Sequence, residues 1–144
     1  MISRFDALRR RAKDAWAALE TSDRPRILVG TATCGRSAGA CEVLRAIEEE
    51  LRRRKLDGHV LEVGCIGLCY AEPIVAMAKP PHPMIFYGGV TPEKATELVR
   101  RWLVEGDPAA DCALGTVGDG SLDGIPPLFD TPVFKAQVRR TLRN

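Results

Sequence analysis

The segment Val63-Gly64-Cys65-Ile66-Gly67-Leu68-Cys69-Tyr70-Ala71-Glu72-Pro73 constrains this chain more than any other. A helix would place Cys65 and Cys69 on one face, but two glycines within six residues disfavour a helix. A tight loop fits better, with glycines bringing bare backbone N–H groups close to two thiolates. Hydrogen bonds to sulfur hold thiolate charge, and a metal ion or an iron–sulfur cluster depends on that support. The plain structural alternative is a pair of buried cysteines acting as small hydrophobes.

Five cysteines, Cys34, Cys41, Cys65, Cys69 and Cys112, occur in 144 residues. An odd count argues for metal or redox use over a disulfide framework. Hydrophobic content of 45% and charged content of 28% are those of a soluble globular domain. A net charge of +2 gives no argument for a nucleic-acid partner. The N-terminal segment mixes arginines with Asp6 and Asp14 and has no continuous apolar core, unlike a signal peptide. No apolar run reaches the ~18 residues of a membrane span. The expected location is the cytoplasm, with no direct membrane insertion.

Residues 2–20 form an amphipathic helix by spacing, with Phe5, Leu8, Ala12, Trp16 and Leu19 as the stripe expected to pack on the domain. Ile27-Leu28-Val29 predicts a strand over 26–30. A small-residue loop carrying Cys34 follows, then a helix over 38–54 capped by Ser37. His59 to Val63 alternates as a strand and leads into the cysteine loop. Residues 74–78 and 84–87 predict a hairpin, and Thr91-Pro92-Glu93 opens a helix over 92–105. Residues 106–124 are glycine-rich and polar, expected as linker, with Cys112 incidental. Beyond them Ile125, Leu128, Phe129, Val133 and Phe134 are expected to pack poorly on their own domain and to meet a partner. The core order is β-α-β-β-β-α, an α/β arrangement that matches a thioredoxin-like fold, extended by an N-terminal helix and a C-terminal tail. The boundaries are 1–25 for helix and linker, 26–106 for the core domain, and 107–144 for linker and tail.

Gly30-Thr31-Ala32-Thr33-Cys34-Gly35-Arg36-Ser37-Ala38-Gly39-Ala40, the Cys65–Cys69 loop, and Tyr87-Gly88-Gly89-Val90-Thr91-Pro92-Glu93 together resemble the thioredoxin-like [2Fe-2S] ferredoxin module. That module precedes the flavin domain in the NADH-binding subunit of NADH dehydrogenases, NAD-linked hydrogenases and formate dehydrogenases. Residues 125–144 resemble the lead-in to that flavin domain. The resemblance implies a [2Fe-2S] cluster on Cys34, Cys65 and Cys69. It also implies an electron-transfer role beside a flavoprotein NADH-binding subunit and other iron–sulfur subunits. The chain would not be catalytic by itself but part of an NADH:acceptor oxidoreductase.

This sequence departs from the four-cysteine pattern C-x4-C and C-x3-C. The remaining ligand position falls at Val29, which has no donor atom. Thr31 or Thr33 could supply an oxygen, and Cys41 is expected to face outward on its helix. No flanked glycine loop for NADH or FMN occurs, so those belong to a partner or a missing domain. Two readings compete with electron transfer. One is a docking or assembly module that has lost its cluster, with Val29 as its support. The other is a thiol oxidoreductase built on Cys34, for which no C-x-x-C is present. A zinc half-site at Cys65-x3-Cys69 is also open.

Overall fold

The computed structural model describes residues 3–138. Five strands form one sheet: β1 (Arg26–Gly30), β2 (His59–Val63), β3 (Val75–Ala78), β4 (Met84–Tyr87) and β5 (Ala113–Val117), in the order β2-β1-β3-β4-β5. β1 and β2 are parallel, with Gly30 opposite Val63, and all other pairs are antiparallel. The parallel pair needs a crossover, supplied by α2 (Thr33–Ser37) and α3 (Ala40–Arg54). One sheet face carries α3 and α4 (Pro92–Leu98), which bury Val43, Ile47, Leu51, Ala95 and Leu98 against Ile27, Val29, Met77 and Ile85. α4 starts as its sequence predicts, with Pro92 in its first turn and the Thr91 hydroxyl accepting the Lys94 N–H. It continues as a π-helical segment, Val99–Glu105, whose Trp102 and Leu103 carbonyls accept hydrogen bonds from Lys79 Nζ.

Four expectations need correction. The loop expected to carry Cys34 is itself a short helix, α2, and α3 starts at Ala40, because Gly39 takes a left-handed conformation (φ +98°) between them and occupies the N-cap position in place of Ser37. The segment 106–124 is not all linker, since β5 pairs along β4 and extends the sheet. The apolar tail packs on its own domain through part of its residues, while Phe129 and Val133 stay exposed. Leu128 and Phe134 are buried with Leu68, Ala71 and Ile74, and Gly115 lets the Leu128 backbone approach β5. Phe134 sits in the short helix α5 (Pro132–Lys135), whereas residues 139–144 of the tail lie outside the described residues. Finally, α1 (Arg4–Glu20) buries none of its residues, and Phe5, Leu8 and Trp16 face solvent. None of the described residues covers its stripe. Among the described residues no helix is long and apolar enough to cross a membrane.

Candidate metal centre

Parallel neighbours end at the same edge of a sheet, so the loops that follow β1 and β2 must emerge together. The Thr31 N–H donates to the Val63 carbonyl at 3.1 Å and ties the two loops at their roots. Cys34 stands in the first turn of α2, and Cys65 and Cys69 stand on the loop after β2. The three Sγ atoms lie within 4.8 Å of one another. Cys65 and Cys69 are 3.7 Å apart. Two thiolates bound at about 2.3 Å to one tetrahedral metal stand about 3.8 Å apart, so this pair fits a single metal ion.

The loop is held from below. Leu68, between the two cysteines, is buried in the second core with Ile66 packed beside it, and this leaves Cys65, Gly67 and Cys69 on the outer side. Gly67, at φ +95°, turns its N–H onto Cys65 Sγ at 3.3 Å. Cys69 opens a single 3-10 turn, Cys69–Ala71, anchored by the Gly89 N–H on the Ala71 carbonyl at 2.7 Å. Cys34 and Cys65 are half-buried and Cys69 is exposed. Tyr70 is exposed, whereas Pro73 is buried. The Gly67 N–H favours the Cys65 thiolate. Burial and hydrogen bonds shared with Cys69 and Glu72 outweigh it, and the thiol is held above its ordinary pKa.

Three converging sulfur donors with a backbone N–H on one of them form a donor set suited to iron, zinc or an iron–sulfur cluster. The fourth family position, Val29, is fully buried in the helical-side core and is no ligand. Cys41 lies on α3 and Cys112 beside Asp111, and neither joins the sulfur group. Thr33 is exposed and Thr31 is buried. The glycine-rich stretch after Cys112 contributes Gly115, Thr116 and Val117 to β5 and so presents no phosphate cradle there. Glu72 went unremarked in the sequence as a possible donor. Its carboxylate packs against Gly30 and Gly35.

Solved structures of a thioredoxin-like [2Fe-2S] ferredoxin from Aquifex aeolicus superpose on this chain. One aligns with a TM-score of 0.56 at 20% identity, covering 70% of this chain and 99% of the ferredoxin. A second, of the wild-type protein, gives 0.55 at 22% identity over 65% of this chain and 99% of the ferredoxin. The fold is that of the thioredoxin-like [2Fe-2S] ferredoxins. The resemblance carried by the three glycine-bearing segments is thereby shown at the level of structure. In sequence, the chain is 34% identical over 83 residues to the NADP-reducing hydrogenase subunit HndB of Solidesulfovibrio fructosivorans. The match takes in 57% of this chain and 66% of that subunit, just under two thirds of its length. No family model matches.

Proposed function

We propose that this chain is the electron-transfer module of a multisubunit NAD(P)-linked oxidoreductase. In this reading Cys34, Cys65 and Cys69 hold a [2Fe-2S] cluster that exchanges single electrons with a flavoprotein partner. The observation that carries it is the convergence of three thiols within 4.8 Å at the shared end of β1 and β2. The ferredoxin fold and the hydrogenase-subunit relative support it. The cluster supplies one-electron chemistry, while FMN and NADH belong to a partner or to a further domain. The chain's own residues do the rest. The Gly67 N–H stabilises charge on Cys65. Leu68 and Ile66 seal the inner side of the loop against water. The exposure of Cys69 and Tyr70 leaves one side open, where a partner can come close to a ligand sulfur.

The alternative is a docking module of the same kind of complex without a cluster. Two observations favour it: Val29 is locked in the core at a ligand position, and α1 presents Phe5, Leu8 and Trp16 to solvent. Iron and acid-labile sulfide, measured on protein purified without oxygen and after anaerobic reconstitution, decide between them. Near-stoichiometric iron and sulfide with visible charge-transfer bands support electron transfer. Zinc alone, or no metal, removes the cluster reading and leaves docking.

A further inference from the structure

We infer that Glu72 supplies the fourth ligand, so that the cluster is held by three thiolates and one carboxylate, with Cys65 and Cys69 on one iron and Cys34 and Glu72 on the other. This deepens the reading above and rests on it. The position is built, not incidental. A Cβ at Gly30 would stand 3.0 Å from Glu72 Oε2 and 3.2 Å from Oε1, and one at Gly35 3.3 Å from Oε2. The carboxylate therefore lies against the segment that carries Cys34, in space kept open by two glycines. The chain brings it there three residues after Cys69.

Charge points the same way. Glu72 is half-buried at the wall of an apolar cavity of about 150 Å³, beside Leu28, Ile66, Ile74 and Phe86. Oε2 accepts the Ile74 N–H at 2.8 Å. The arginine in the neighbouring helix, Arg36, is engaged by Glu62 at 3.4 Å and by the Thr31 carbonyl, and no ion pair reaches Glu72 among the described residues. A carboxylate against the segment that carries Cys34, with no cation paired to it, is free to serve a metal as an anionic ligand. Cys65 and Cys69 have the spacing of two ligands on one metal, and Glu72 falls outside the group of mutually close sulfurs. Ligands of two different irons are further apart than ligands of one, so a two-iron group has room for Glu72 outside the sulfur group, while Cys34 stays within 4.8 Å of the other sulfurs. Carboxylate oxygen is an ordinary ligand of iron, and unlike Val29 it has lone pairs to give.

The test uses the full chain, reconstituted anaerobically with iron and sulfide after 13C labelling at glutamate carboxylates. It is reduced and read by electron–nuclear double resonance. Glu72→Gln keeps an oxygen to accept the Ile74 N–H but loses the anionic ligand. The expected result is a strongly coupled carboxylate carbon in the parent. Glu72→Gln then binds iron at least twofold less, and the cluster it retains lacks that coupling. No coupled carbon in a cluster-bearing parent overturns the assignment without recourse to any variant. A coupled carbon that survives Glu72→Gln overturns it as well. Absence of iron and sulfide from the parent is a different failure, in which the cluster reading falls and takes the fourth ligand with it.

Discussion

Adding one methyl group at Gly35 is expected to empty the metal site while leaving the sheet intact. Gly35 follows Cys34 in α2, and a Cβ there would meet the Gly30 carbonyl oxygen at 1.8 Å and its carbon at 2.9 Å. Real Cβ contacts stay above 3.0 Å, so the separation must grow from 1.8 Å to at least 3.0 Å, a movement of about 1.2 Å. Gly30 cannot supply it, because its N–H is bonded to the Ile74 carbonyl at 3.0 Å and it is registered opposite Val63. α2 has five residues and no side-chain cap, so it moves and carries Cys34 with it. Overpacking of this kind costs about 1–3 kcal/mol. For a domain of this size that lowers the melting temperature by roughly 3–12 °C. Metal–ligand distances tolerate only about ±0.2 Å, so a shift near 1 Å removes Cys34 as a ligand. Iron per chain in Gly35→Ala is expected to fall at least tenfold after anaerobic reconstitution. Melting is to be compared on metal-free protein, which separates packing from linkage to bound metal. Gly64→Ala is the control, since no atom lies within 4 Å of its added Cβ, and it should retain both iron and stability. Full iron in Gly35→Ala would refute the argument that close approach of α2 to β1 sets the position of Cys34.

Among single Cys→Ser variants, those at Cys34, Cys65 and Cys69 should lose iron and visible absorbance, whereas those at Cys41 and Cys112 should keep both. Leu128→Ala should destabilise the domain by about 2–5 kcal/mol in chemical denaturation, because Leu128 is 2% exposed in the second core; an unchanged midpoint would return the tail to the role of free segment. Hydrogen bonds from Arg53, then Arg54, hold the Glu50 carboxyl at about 2 against 4.5 for an ordinary glutamate. That depression stabilises the fold above pH ~4.5 and is lost as pH falls toward 2. Its full worth is about 3 kcal/mol, and water around the 65% exposed Arg53 side chain brings the expected acid loss to roughly 1–2 kcal/mol. Glu50→Gln should flatten that part of the stability–pH profile, read by urea titrations between pH 2 and 6.

The sequence made the site legible where local chemistry decides it. Strand–helix–strand crossover implies parallel strands, parallel strands share an end, and Cys34, Cys65 and Cys69 follow those ends. Thr91-Pro92 marked a helix start because a hydroxyl cap and a missing N–H act within one turn. What stayed hidden depends on distant partners. Ala113-Leu114-Gly115-Thr116-Val117 has no alternation to mark it as a strand, and its glycine is there for the backbone of Leu128. The apolar residues of the tail were visible, but their burial against Leu68 and Ile74 depends on where the loop after β2 lies. The amphipathic stripe of α1 was equally visible and is left uncovered by the described residues, because periodicity shows that a face is apolar and not what covers it.

The glycines around the cysteines show most clearly what a motif conceals. On sequence grounds all of them could serve as bare N–H donors to sulfur. Gly67 does so, and its left-handed backbone is what turns its N–H to Cys65. Gly64 meets nothing. Gly30 and Gly35 serve another purpose: the missing Cβ of Gly35 makes room for the Gly30 backbone, and the missing Cβ atoms of both make room for the Glu72 carboxylate. A side chain at either position would push that carboxylate away from Cys34. The spacing of glycines about Cys34 therefore encodes a vacancy shaped for an anionic group, filled from a position 38 residues further along the chain than Cys34.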